Sequence, residues 1–237
     1  MSEVALQTEF DFSEEEIALL LDNIDDYTFD EVVEIDKMVN ELANRKANQL
    51  AFDDLIAFCQ AMMPEFIVGK HHRILADMLM AIERGDKDRV CVNVPPRHGK
   101  SQVVSIFYPA WFLGRNPDKK VMMVSHTTDL AVDFGRKVRN LIATDDYRAI
   151  FPSVKLAQDS KSAGRWNTNV GGEYYACGVG SSIAGRGADL LLIDDPHSEQ
   201  DVINGNFSAF VRAYDWYTFG ARTRLMPGGR VAIVATR

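Results

Sequence analysis

The sequence predicts an α/β fold: a mostly parallel central sheet flanked by helices, preceded by an acidic N-terminal helical region. Three observations carry this expectation. From Phe66 onward, short β-branched apolar runs alternate with amphipathic stretches of helical length, the pattern of strands joined by crossover helices. The run Leu190-Leu191-Leu192-Ile193 is apolar without alternation, as in a strand buried on both faces of a parallel sheet. Residues 1–65 carry 17 acidic and 3 basic side chains, a balance of −14, whereas residues 66–237 carry 17 and 23, a balance of +6. The charge changes sign where the texture changes, so the expected division is 1–65 and 66–237.

In the first region, Ser13-Glu14-Glu15-Glu16 and Thr28-Phe29-Asp30-Glu31 both place Glu three residues after a hydroxyl, the capping-box signature of a helix start. A third helix is expected over 52–63, ended by Pro64. None of this carries chemistry, and it reads as a lid, arm or docking element. Beyond it, a helix containing Leu75, Leu79 and Ile82 ends near Gly85, and strands are expected at 90–94 and 121–124. Helices are expected over 103–113 and 128–142, and a hairpin around Gly171-Gly172. A helix over 207–223 then leads through the turn Pro227-Gly228-Gly229 into a strand at 231–234.

Composition narrows the class. With 237 residues and 46% apolar content, the chain can bury the core of one large domain, or of a domain plus an appendage. Cys59, Cys91 and Cys177 are too few and too scattered for a disulfide framework or a Cys-rich zinc site. No run approaches the roughly 18 to 20 apolar residues of a membrane span, and the start Met1-Ser2-Glu3 lacks the features of a signal peptide. A soluble, unsecreted protein without a membrane partner is expected.

The segment Pro95-Pro96-Arg97-His98-Gly99-Lys100-Ser101 stands between an expected strand and an expected helix. A phosphate-binding loop needs that setting, because backbone N–H groups and the helix N-terminus then face an anion. In such a P-loop Lys100 reaches the β- and γ-phosphates, Ser101 ligates Mg²⁺, and Gly99 lets the backbone approach closely. The usual pattern has glycine where this chain has Val94. The strand-end pair Asp194-Asp195 supplies the expected partner carboxylates: Asp194 for the metal ion, Asp195 to orient and deprotonate water. Asp195 is one methylene shorter than glutamate, and Glu199 is an alternative base. ATP and Mg²⁺ are the expected cofactors of an ATP hydrolase.

These segments, together with Lys70-His71-His72-Arg73-Ile74-Leu75, Gly185-Arg186-Gly187-Ala188-Asp189 and Ala235-Thr236-Arg237, resemble the large terminase subunit of tailed bacteriophages. The resemblance covers most of residues 66–237, and the form Pro-Pro-Arg-His-Gly-Lys-Ser is its most specific part. It implies an ASCE-type P-loop NTPase core that assembles as a homo-oligomeric ring on a portal protein, with a small terminase subunit as partner. Such a motor translocates double-stranded DNA into a capsid, in the host cell cytoplasm and outside the mature virion. The resemblance further implies that Pro96 to Ser101 and His71 contact nucleotide, that Arg97 touches the γ-phosphate and that Thr236 couples hydrolysis to motion. Arg186 is implied as an arginine finger toward a neighbouring subunit. Relatives carry a nuclease domain after the ATPase, and this chain stops at Arg237, so no nuclease activity is expected from it. Two alternatives are a helicase-like ATPase and a nucleotide-binding assembly module with little hydrolysis of its own. A basic stripe of Arg136, Lys137, Arg139, Arg212, Arg222 and Arg224 is the expected DNA contact.

Overall fold

The computed structural model describes residues 13–160 and 162–236. The readings made on Met1-Ser2-Glu3 and on Arg237 lie outside the described residues. The chain forms two compact units, residues 1–50 and 51–237.

In the smaller unit, α1 (Glu14–Asp22) opens on the expected capping box: Glu16 N–H donates to Ser13 Oγ at 3.2 Å, and Ser13 N–H donates to Glu16 Oε2 at 2.7 Å. Thr28 N–H makes the same reach to Glu31 at 2.8 Å at the start of α2 (Phe29–Asp53). These bonds favour the ionised carboxylates and hold Glu16 and Glu31 below the usual range. Ile17, Ala18 and Leu21 of α1 line an apolar groove with Val39, Leu42 and Ala43 of α2.

The larger unit begins with the end of α2. Because α2 runs on to Asp53, the next helix, α3 (Leu55–Met62), starts later than the sequence suggests, with Asp54 capping it by accepting from Ala57 N–H at 2.8 Å. Although α3 falls within residues 1–65, its Leu55, Ile56, Phe58 and Cys59 are buried in the core of the larger unit. Charge marks the acidic surface; packing puts α3 with the core.

The remaining elements are α4 (Lys70–Arg84), β1 (Arg89–Val94), a π-helical stretch (Gln102–Phe107) continuing as α5 (Tyr108–Arg115), β2 (Lys120–Ser125), α6 (Thr128–Ile142) and α7 (Asp145–Ile150). Next come β3 (Arg165–Asn167), β4 (Glu173–Gly178), β5 (Ala188–Asp194), α8 (Glu199–Ile203), α9 (Phe207–Asp215) and β6 (Leu225–Thr236). Helix α4 ends as expected at Gly85, whose φ of 87° is cheap only for glycine. The helix expected over 207–223 breaks after Asp215 into a π-helical turn (Trp216–Gly220) and a 3₁₀ turn (Ala221–Arg224). Pro227-Gly228-Gly229 does not precede a separate strand. It lies inside β6 as a bulge: Ala188 pairs with Leu225 but Leu190 with Arg230, so residues 226–229 loop out of register.

The sheet order is β1-β6-β5-β2-β4-β3, and every neighbouring pair is parallel except β3 and β4. The mostly parallel sheet flanked by helices is therefore the architecture observed. One face is covered by α3, α4, α5 and α6; the other by Ile183 and the turns around Trp216 and Ala221. Since the parallel strands point the same way, β1, β6, β5 and β2 all deliver their carboxyl ends to one edge.

Phe58, fully buried in α3, lies with its ring 5.8 to 6.3 Å from those of Phe107, Tyr147 and Phe151. Phe58→Ala is expected to lower the unfolding free energy by about 3–5 kcal/mol, measurable by denaturant titration; a loss below about 1 kcal/mol would separate α3 from this core.

Candidate functional site

Strand β1 ends at Val94, and residues 95–99 form a loop at the carboxyl edge of the sheet before the helix begins at Lys100. Two residues in this loop take left-handed backbone conformations, Arg97 at φ 62° and Gly99 at φ 70°. Gly99 also lacks room for a side chain, since a Cβ there would lie 2.6 Å from His72 Nε2. The first N–H groups of the following helix have no partner within it and point out of its N-terminus, an arrangement suited to an anion.

Lys100 is folded down onto the ends of two neighbouring strands. It is only 6% exposed, with Nζ 3.1 Å from Asp194 Oδ1, paired with Asp195 Oδ2, and donating to Thr236 Oγ1 at 3.0 Å. Thr236 relays the contact: its hydroxyl donates to the Asp195 carboxylate at 2.9 Å, and its backbone N–H donates to Asp195 Oδ1 at 2.6 Å. Asp195 leaves the strand with φ 44°, its N–H bonded to Val234 O and its carbonyl to His126 N–H. A left-handed aspartate costs of order 1 kcal/mol, and here backbone bonds to two neighbouring strands hold it.

Asp194, 2% exposed, accepts from the buried Ser105 hydroxyl at 2.6 Å through Oδ2. Its Oδ1 faces the Lys100 ammonium at 3.1 Å, and Ser125 Oγ, on the register partner of Asp194 in β2, is buried without a hydrogen-bond partner. With only the Lys100 ammonium beside it, Asp194 Oδ1 keeps a lone pair that a hard divalent cation would take up. No group of three His, Cys, Asp or Glu side chains that could hold a metal occurs among the described residues. A cation here would therefore rest on one or two protein oxygens and on its other ligand, as Mg²⁺ does beside phosphates.

Of the residues singled out from sequence, Lys100, Asp194, Asp195 and Thr236 are brought together, with Gly99 and Ser101 on the same loop and helix start. Pro96, Arg97 and His98 are exposed along the loop, and among the described residues Arg97 has no partner. His71 Nε2 lies 3.1 Å from His98 O. Arg186 is not with them. It precedes β5, donates to Glu173 at 3.3 Å and lies over the Tyr175 ring at 4.8 Å, at the amino end of the strands. Glu199 is exposed at the start of α8. Arg136, Lys137 and Arg139 are on α6, against one face of the sheet, the first two paired with Asp133, whereas Arg222 and Arg224 lie in the 3₁₀ turn whose Ala221 packs on the other face, and Arg212 is on α9. They do not form one stripe.

Sequence reading missed Ser105, although it lies four residues beyond Ser101 and so on the same face of a helix. It also missed Ser125 and His126, for which the sequence gives no signal.

The profile of the family described as "Terminase large subunit, T4likevirus-type, N-terminal" matches residues 91–219, more than half of the chain. This chain belongs to the large terminase subunit family. A solved structure, the crystal structure of the HK97 bacteriophage large terminase, is similar at 13% identity and a TM-score of 0.49 over 78% of this chain. The terminase chain described here spans 37% of that protein. Comparison with curated proteins gives no match.

Two predictions follow from the geometry of this terminase site. Ser105→Ala leaves a buried carboxylate oxygen without its donor and is expected to destabilise the fold by about 1–3 kcal/mol, read as a lowered melting temperature; an unchanged melt would mean that the bond contributes nothing. Burial holds His72 and His197 below the ordinary histidine pKa. The unfolded chain therefore binds more protons just below pH 6.5, and stability present above that value is lost as the pH falls toward the lowered pKa values. His72→Gln is expected to flatten part of this slope, checked by melting curves between pH 5 and 7 (about the histidine range).

Proposed function

We propose that this chain is the ATPase motor portion of a large terminase subunit, hydrolysing ATP to drive double-stranded DNA into a capsid. The observation that carries the reading is the convergence of Lys100, Asp194, Asp195 and Thr236 from three strand ends beneath the loop 95–101. The strand order adds support: β6 lies between the loop-bearing β1 and the aspartate-bearing β5, as in an ASCE-type P-loop NTPase.

In this reading the resting Lys100 ammonium, held by two carboxylates, swings to the β- and γ-phosphates when nucleotide enters. The exchange of an anionic partner for another keeps the buried cation compensated throughout. Pro96 to Ser101 wrap the phosphates, with backbone N–H groups from Arg97 onward, and His71 contacts the nucleotide from α4. Ser101 and Asp194 would hold Mg²⁺, whose charge would neutralise that of the phosphate oxygens. Released from Lys100, Asp195 is free to accept the proton of the attacking water while Thr236 fixes its orientation. Thr236 closes β6, so loss of the phosphate contact is felt at the carboxyl end of a central strand, a path from hydrolysis to motion. The exposed Arg97 approaches the γ-phosphate. Arg186, at the other end of the strands, acts on a neighbouring copy in a ring, and within one copy it braces Glu173.

The domain division in this reading is an acidic arm within 1–50 and an ATPase core that takes in α3 and extends over 51–237. The partners are double-stranded DNA, a portal protein, a small terminase subunit and further copies of this chain, in the host cytoplasm. No nuclease chemistry is assigned to these residues.

ATP turnover in Mg²⁺ tests the proposal. Lys100→Ala and Asp195→Asn are expected to reduce it by about 10² to 10⁴-fold. Turnover of the unmodified chain no higher than that of both variants, with nucleotide still bound, would instead favour the assembly-module reading.

A further inference from the structure

His72 is one of the few polar side chains buried in the larger unit, and the scheme above does not use it. It opens α4, 6% exposed, with its ring 4.9 Å from Phe66 and 3.9 Å from His71. Its two nitrogens have different partners. Gly69 N–H donates to Nδ1 at 3.0 Å, which requires Nδ1 to be unprotonated. The hydrogen of the neutral ring is therefore on Nε2, which donates to the His98 carbonyl at 2.8 Å. Burial disfavours the doubly protonated ring and keeps this tautomer in place.

The consequence lies in the peptide unit that His72 holds. No cis peptide occurs among the described residues, so the His98 carbonyl and the Gly99 N–H, which share one planar unit, point in opposite directions. Fixing the carbonyl toward α4 fixes the Gly99 N–H away from it, toward the hollow of the loop. Glycine is required at position 99 for the same reason: its φ of 70° sets the turn, and its missing Cβ leaves the space that His72 Nε2 fills. We propose that His72 is a positioning residue that locks the 98–99 peptide with its N–H directed at bound phosphate, so that α4 preorganises the loop for nucleotide. This rests on the reading of 95–101 as a phosphate loop.

The experiment compares the full chain with His72→Phe, which keeps ring volume and loses both bonds, and His72→Gln. Gln at this position retains an acceptor for the Gly69 N–H and an amide donor for His98. Binding of Mg·ADP is measured by calorimetry and backbone exchange of residues 97–101 by hydrogen–deuterium exchange, with Lys100→Ala as reference. His72→Phe is expected to weaken ADP about tenfold and to speed exchange in the loop, and His72→Gln to restore both to within about threefold. If His72→Phe does not hold the fold, His72→Asn replaces it, too short to reach His98 and expected to show the same losses. A variant lacking the His98 bond that binds ADP like the unmodified chain, with unchanged loop exchange, overturns the proposal. If the unmodified chain binds ADP no better than Lys100→Ala while His72→Phe still loosens the loop, the phosphate-loop reading fails and the positioning role stands.

Discussion

The whole carboxyl edge of the sheet is organised around one buried ammonium group. Lys100 is nearly inaccessible, and a buried cation without partners would cost far more than a small domain can spare. Its partners come from two strands: Asp194 and Asp195 from the end of β5, and Thr236 from the end of β6. Each must arrive at the right height, which depends on the parallel register of β5 with β6 and of β6 with β1. The bulge at 226–229 comes early in β6, near the amino end of β5, so it leaves the register at the functional end undisturbed. Removing any partner leaves charge in a dry place.

Around this pair the backbone takes conformations that local sequence would not choose. Arg97 and Asp195 are both left-handed without being glycine, the first on the loop before Lys100 and the second paired with its ammonium. Asp195 is tied by backbone bonds to β6 and β2, while the Asp194 side chain is tied to Ser105. The loop is likewise fixed from outside, by a histidine on α4. Left-handed backbone at non-glycine residues thus occurs on the loop and at the end of β5 among the described residues, whereas the rest of the larger unit is a close-packed core dominated by Trp111, Tyr108, Phe58 and Trp166.

The charge distribution has a more modest meaning than the sequence suggested. The acidic balance of the first 65 residues does not define a structural unit, because α3, included in that count, carries an apolar face that the larger core buries. The basic residues expected to form one stripe are divided as well. Arg136 and Lys137 share Asp133 on their own helix, and Arg222 and Arg224 lie beyond the opposite face of the sheet. A count of charges along a chain says nothing about which face each one occupies.

The sequence by itself determined the elements whose cause is local. The capping boxes at Ser13 and Thr28, the stop at Gly85, the unbroken apolar run of β5 and the strand–loop–helix setting of Lys100 could all be read directly, because each depends on neighbours a few residues away. The pairing of Lys100 with Asp194, Asp195 and Thr236 was legible only as chain order and motif. That Ser105 meets Asp194, that Ser125 is its register partner, that His72 holds the loop carbonyl and that Arg186 lies at the far end of the strands were decided by the sheet order. Contacts spanning 26 to 136 residues, such as His72 with His98 and Lys100 with Thr236, leave no periodic trace in sequence. They exist only once parallel strands have brought their ends to a common edge.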